Sequence, residues 1–183
     1  ANTFGFNVEI DPFSPTSTPR KRTAMGRFNH EGAWVGPVTV GKPVVFYMGC
    51  DAEDEYIYKF VSTANWSSAD LNGGLAAGDK YLDSGKLYVA KFNSDFTGQW
   101  LELTVGLTGT QAVGTEIFTF GDLSDPFLNT RLVADKVGAT QMDRPEWGAV
   151  NPVNGEVYFT LTKSTSNRPV AEVDAANPRS YLD

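Results

Sequence analysis

Thiols and imidazoles are nearly absent: the 183 residues include one cysteine, Cys50, and one histidine, His30. A lone thiol excludes an intrachain disulfide and leaves the redox compartment unread. A lone imidazole excludes paired-histidine zinc motifs, so His30 reads as a hydrogen-bonded structural residue. No Ser/His/Asp pattern supports a covalent serine mechanism, and the EF-hand loop pattern is missing. No apolar run approaches the roughly 18 residues of a membrane span. Basic residues are in deficit, 15 Lys and Arg against 22 Asp and Glu, for a net charge of -7. That balance argues against nonspecific binding to nucleic acid or an anionic membrane. The chain starts with neither Met nor a basic, apolar leader, so either a leader was removed or this is a piece of something longer.

What is present favours short strands and tight turns: 18 Gly, 10 Pro and 13% aromatic residues, in a length suited to one domain. Residues 5–10 alternate like a strand, and the basic cluster Arg20, Lys21 and Arg22 reads as a solvated turn. Residues 43–48 (PVVFYM) form an apolar strand of the kind buried on both faces, paired with the alternating 55–61. The acidic turn 49–54 between them (GCDAED) is either solvent-facing or a calcium ligand cluster, with the first as the default. Asn65 to Ser67 fits a glycosylation sequon, a weak signal. Residues 71–83 read as a Gly- and Asp-rich loop, followed by an antiparallel pair over 87–92 and 99–105. One helix is expected near 125–137, capped by Ser124 or Asp125, opened by Pro126 and stopped by Gly138.

That helix delivers the chain to Asp143, Arg144, Pro145, Glu146 and Trp147, where two acids, a guanidinium and an indole share five residues. Pro145 biases Arg144 to an extended conformation, which puts Arg144 and Glu146 on one side of the chain. Such a pair is either a structural ion pair or a place to hold a cation and the anion it attracts. Residues 151–155 then turn the chain into a strand over 156–162. A repeat links two regions: Glu31-Gly-Ala-Trp-Val35 leads through a turn to an apolar strand, and so does Glu146-Trp-Gly-Ala-Val150. In a β-propeller the first strand of each blade lines the channel, so Glu31 and Glu146 would converge on one axis, where carboxylates call for a neutralising cation.

The chain resembles the PhoX family of bacterial alkaline phosphatases, phosphomonoesterases built on a β-propeller. The resemblance rests on residues 20–31 (RKRTAMGRFNHE), 47–49 with 55–60 (YMG and EYIYKF), 85–90 (GKLYVA), 129–131 with 138–147 (NTR and GATQMDRPEW) and 175–179 (AANPR). It implies an all-β fold, here a single partial propeller domain over 1–183, and a dependence on calcium and iron. It further implies phosphate monoesters as substrates and a periplasmic or secreted location. Glu31 and Glu146 look like metal ligands of the family and Arg144 like its phosphate-contacting arginine. The turn after Gly49 corresponds to another ligand segment, occupied here by Cys50 and Asp51. The family motif has two acids there. Cys50 therefore puts a soft thiol where calcium prefers oxygen, and either Asp51 substitutes through a shifted backbone or the site is weakened. Cys50 is not the equivalent of the family's iron-binding cysteine, which belongs to an earlier segment.

Family members are about three times longer, so the resemblance also implies missing blades, supplied by another chain, by self-association or by a longer parent. Two other readings compete. One is a non-catalytic calcium-binding or partner-binding β module; the other is a lactonase-like calcium hydrolase propeller.

Overall fold

The computed structural model describes residues 3–103, 106–163, 173–174 and 176–177. The strand end expected at 104–105 and most of the 175–179 motif lie outside the described residues. Near the start, β1 (Val8–Glu9) pairs with β2 (Arg20–Lys21), a shorter strand than the alternation over 5–10 predicts. Next come β3 (His30–Val35), β4 (Pro43–Cys50), β5 (Glu53–Glu55) and β6 (Ile57–Asn65). Helix α1 (Gly74–Leu82) precedes β7 (Gly85–Phe92) and β8 (Gly98–Glu102). Strands β3, β4, β6, β7 and β8 form one antiparallel sheet in that order. A hairpin of β9 (Gly109–Val113) and β10 (Glu116–Phe120) leads into helices α2 (Asp125–Leu128) and α3 (Thr130–Val137). Then β11 (Met142–Asp143) pairs back to β5, and β12 (Pro145–Val150) pairs with β13 (Val157–Leu161). The architecture is all-β, in consecutive antiparallel sheets as in part of a β-propeller. No helix among the described residues is long and apolar enough to cross a membrane.

The two-residue period of the strands builds the core. Phe46, Phe60 and Leu87 sit opposite one another on neighbouring strands, and that face is sealed by Met25, Phe28, Val133 and Ala134 from outside the sheet. A smaller cluster of Ile57, Ala90 and Met142 packs with Phe159 and so joins the large sheet to the β12–β13 hairpin. The repeated segments lie side by side: the Trp34 ring is 6.0 Å from that of Trp147 and 5.7 Å from that of Phe159.

Three expectations change. The helix near 125–137 is broken at Asn129, whose backbone leaves the helical region (φ -117, ψ 35) while its N–H still donates to the Asp125 carbonyl and its amide side chain donates to the Asp125 carboxylate. The loop over 71–83 contains α1. Its glycine content reflects packing rather than breaking, because a Cβ on Gly78 would stand 2.0 Å from Glu9 Oε2 and 2.3 Å from Arg22 Nη2. The basic cluster is also only partly solvated. Arg20 and Lys21 are exposed, but Arg22 is buried, and its guanidinium donates to Glu9, Asp79, Asp83 and the Leu75 carbonyl. Burial opposes the charge, yet hydrogen bonds to Asp79, Asp83 and Glu9 outweigh it and raise the arginine pKa.

His30 is the structural residue expected from its isolation. Asn7 Nδ2 donates to its Nδ1 at 3.1 Å, its Nε2 donates to the Gly26 carbonyl at 3.0 Å, and its ring stacks on Phe28. Burial lowers its pKa from 6.5 to about 4, against the weaker opposite pull of the Gly26 carbonyl.

Replacing Arg22 with Ala removes the tie between β1 and α1 and leaves three carboxylates facing each other. These keep access to water, so the expected loss is about 3 kcal/mol, the low end for a broken buried pair, read by urea unfolding. For His30, the unfolded chain binds its proton near pH 6.5 and the native chain only near 4. The unfolded state therefore holds more protons in that window, and stability falls as pH drops through it, by up to about 3 kcal/mol. His30→Gln should flatten that slope.

Candidate functional site

The site forms where the chain changes sheets. Strand β11 belongs with β5 and β12 with β13, so the residue between β11 and β12 must turn sharply. That residue is Arg144, and its φ of 50 is left-handed rather than the extended conformation that the following proline predicts. A non-glycine residue there costs about 1–2 kcal/mol. The turn is held on both sides: Arg144 N donates to the Met142 carbonyl at 3.1 Å, and Thr162 N donates to the Asp143 carbonyl at 3.0 Å.

The second arm comes from the end of β4. Asp51 N donates to the Asn29 carbonyl at 2.9 Å, and His30 lies opposite Cys50 in the β3–β4 register. Gly49 lets this corner touch β12, since a Cβ there would sit 2.4 Å from the Pro145 carbonyl oxygen. Asp51 is thereby set against Arg144: Asp51 Oδ1 stands 2.8 Å from Arg144 Nη2, and Glu146 Oε1 stands 3.4 Å from the same nitrogen. Thr162 Oγ1 donates to Glu146 Oε1. Arg144 keeps 33% of its side chain exposed. Nη2 is the guanidinium nitrogen nearest both carboxylates, and among the described residues Nε and Nη1 make no hydrogen bond.

The acidic turn is therefore not solvent-facing decoration. Asp51 meets Arg144, Glu53 meets Lys163 at 2.8 Å, and Glu55 is buried against Arg131. Burial raises the Glu55 pKa in spite of the guanidinium beside it. Glu31 lies exposed on β3, the strand whose Trp34 meets Trp147 of β12, and it makes no ion pair or hydrogen bond among the described residues.

Cys50 goes elsewhere. Alternation along the strand end sends its side chain into the core with Met48 and Tyr58 while Asp51 faces Arg144. Burial, helped by the Glu55 charge, pushes its thiol up to about 12. Its place in the core, on the opposite side of the strand end from Asp51, sets Cys50 apart from the carboxylates around Arg144. The carboxylates are the better chemical match, since Glu31 and Glu146 offer the oxygen donors that hard cations prefer, while one oxygen of Asp51 is set against Arg144. No group of three or more metal-capable side chains is assembled among the described residues, so these acids are a partial donor set. Sequence reasoning missed Thr162 and the Asp51–Arg144 pairing, because neither spacing nor composition shows which strands meet.

A family model described as alkaline phosphatase PhoX matches residues 1–182. The solved structure of Pseudomonas fluorescens PhoX in complex with vanadate, a transition state analogue, is similar to this chain, with 43% identity and a TM-score of 0.82. The match covers 98% of this chain and 31% of that one, so the chain spans about a third of that protein's length. No curated protein matches.

The buried thiol gives a direct check on the placement of Cys50. Iodoacetamide at pH 8 should leave it unmodified in the folded protein and label it fully after denaturation, as read by mass spectrometry. Cys50→Ala should leave bound metal unchanged and cost about 1 kcal/mol of stability through the lost sulfur packing.

Proposed function

This chain belongs to the PhoX family of alkaline phosphatases, and we propose that it supplies part of the active site of a metal-dependent phosphomonoesterase. The observation that carries this reading is the guanidinium of Arg144, fixed at one nitrogen and open at the others, with carboxylates on either side. A planar fork with two free donor positions suits the non-bridging oxygens of a phosphate better than a lysine would.

In this reading Arg144 binds the phosphoryl group and orients it. Glu146 and Glu31 hold cations as hard oxygen donors, and Thr162 keeps the Glu146 carboxylate in place through its hydroxyl. Calcium and iron are the cations that the family resemblance suggests. When bound, they supply positive charge to the phosphoryl oxygens and activate the attacking water. The carboxylates and Arg144 then divide the work by sign: the acids collect cations, and the arginine gathers the anion that would otherwise be repelled by the acids. The donors that complete the set come from further blades or from a second copy of the chain. A periplasmic or secreted location goes with this reading.

The test measures calcium and iron content together with p-nitrophenyl phosphate hydrolysis at alkaline pH, first on this chain and then on a family-length enzyme containing it. In the active form, Arg144→Ala and Glu146→Gln should each lower kcat/KM by about 100-fold or more, with the circular dichroism spectrum unchanged. Wild-type rates in both variants would end the assignment. Bound calcium without turnover in the family-length protein would favour a non-catalytic calcium-binding module.

A further inference from the structure

Asp51 has a part that neither the family match nor the ligand pattern assigns. Its Oδ1 is shielded from solvent and has no hydrogen-bond partner of good geometry, yet it stands 2.8 Å from the Arg144 guanidinium. The contact is therefore mainly one of charge. An oxygen committed to a guanidinium at that distance is poorly placed to bind a cation, because the arginine repels the ion that would replace it.

Both partners are held by backbone rather than by side-chain choice. On one side, Asp51 N is bonded to the Asn29 carbonyl, Cys50 N to the Tyr56 carbonyl at 3.1 Å and Ala52 N to the Cys50 carbonyl at 2.8 Å. The neighbouring Cys50 side chain is anchored in the core, so the turn cannot rotate freely. On the other side, Arg144 is fixed in its left-handed turn between two sheets. Glu146 is the weaker partner at 3.4 Å, and its Oε1 already accepts from Thr162.

We infer that Asp51 is a positioning residue, whose carboxylate fixes Arg144 Nη2 so that Nε and Nη1 are presented together to a phosphate. The inference rests on the phosphatase reading above, and it replaces the expectation that Asp51 is a metal ligand. Its physical basis is preorganisation. An arginine side chain free to rotate must be ordered when the anion arrives, whereas one held by a carboxylate whose facing oxygen is shielded from solvent has been ordered by folding. Asp51 also offsets part of the arginine's charge, which eases its placement beside bound cations.

A double-mutant cycle on the metal-loaded, family-length enzyme tests this, with Asp51→Asn, Arg144→Gln and the pair. Three quantities are measured: KM for p-nitrophenyl phosphate, inhibition by inorganic phosphate, and calcium and iron content. Asp51→Asn should keep the metals and weaken phosphate inhibition and KM on the order of tenfold. In the Arg144→Gln background it should add almost nothing, because a residue acting through Arg144 has no effect once Arg144 is gone. Asp51→Glu should recover part of the affinity, and it serves as the reporter if Asp51→Asn fails to fold. Loss of calcium in Asp51→Asn, or an equal penalty with and without Arg144, overturns the inference. If Arg144→Gln itself leaves phosphate binding untouched, the phosphatase reading of the site fails and takes this inference with it. Weakened binding in Arg144→Gln with none in Asp51→Asn sinks the role of Asp51 alone.

Discussion

A side chain at position 49 would put its first carbon 2.4 Å from the Pro145 carbonyl oxygen and 3.0 Å from that of Glu146. This backbone-to-backbone approach, open only to glycine, joins the end of β4 to the start of β12, and the candidate site depends on it. With the two chain segments so close, the residues just beyond the contact on each side, Asp51 and Arg144, have little choice but to face each other. The aromatic contacts of Trp34 with Trp147 and Phe159 brace the same seam a few residues further along. Precision at the site thus comes from sheet packing, and the flexible arginine side chain inherits it.

Charge is distributed unevenly around this seam, and the distribution separates structure from chemistry. Arg22 is surrounded: three carboxylates and a carbonyl take up its donors, and it is 1% exposed. Arg131, although 46% exposed, commits Nε and Nη2 to the buried Glu55. Arg144 differs in its donors rather than in its exposure: its contacts with Asp51 and Glu146 are ion pairs through Nη2, and among the described residues its side chain makes no hydrogen bond. A buried guanidinium with every donor satisfied can only hold the fold together. One that is held in place, a third exposed and unsaturated is available to an anion.

Much of this was legible in the sequence, and what was missed has a common cause. The alternation in 43–48 and 55–61 and the paired Glu-to-Val segments are local patterns, and they appear in the structure as β4, β6 and the neighbouring β3 and β12 hairpins. Arg144 and Glu146 were expected to lie together, and they do, but through a left-handed turn rather than an extended chain. Proline's local bias lost there to the need to change sheets. The Gly- and Asp-rich run over 71–83 reads as a loop, yet it holds α1, where Gly78 makes room for Arg22. The same holds for Arg22, whose partners lie 57 and 61 residues away in sequence. Pattern reading sees periodicity along the chain, and it cannot see long-range demands for space or charge.

The substitution that stood out in the sequence, cysteine where the family pattern has an acid, shows the same limit from the other direction. Read as chemistry, it puts a soft donor into a hard site. The structure turns the thiol into a packed core with Met48 and Tyr58, where burial keeps it protonated. An aspartate at that position, with the backbone unchanged, would have to bury a carboxylate near Glu55, the group whose charge already disfavours a Cys50 thiolate. A small apolar thiol avoids that conflict and leaves one acid, Asp51, at the turn to face outward. Losing one carboxylate from the pattern therefore does not by itself imply a broken site, since the remaining one is held at 2.8 Å from the only arginine at the seam between β4 and β12 among the described residues. The functional question moves from which atom binds a metal to how firmly the arginine is aimed.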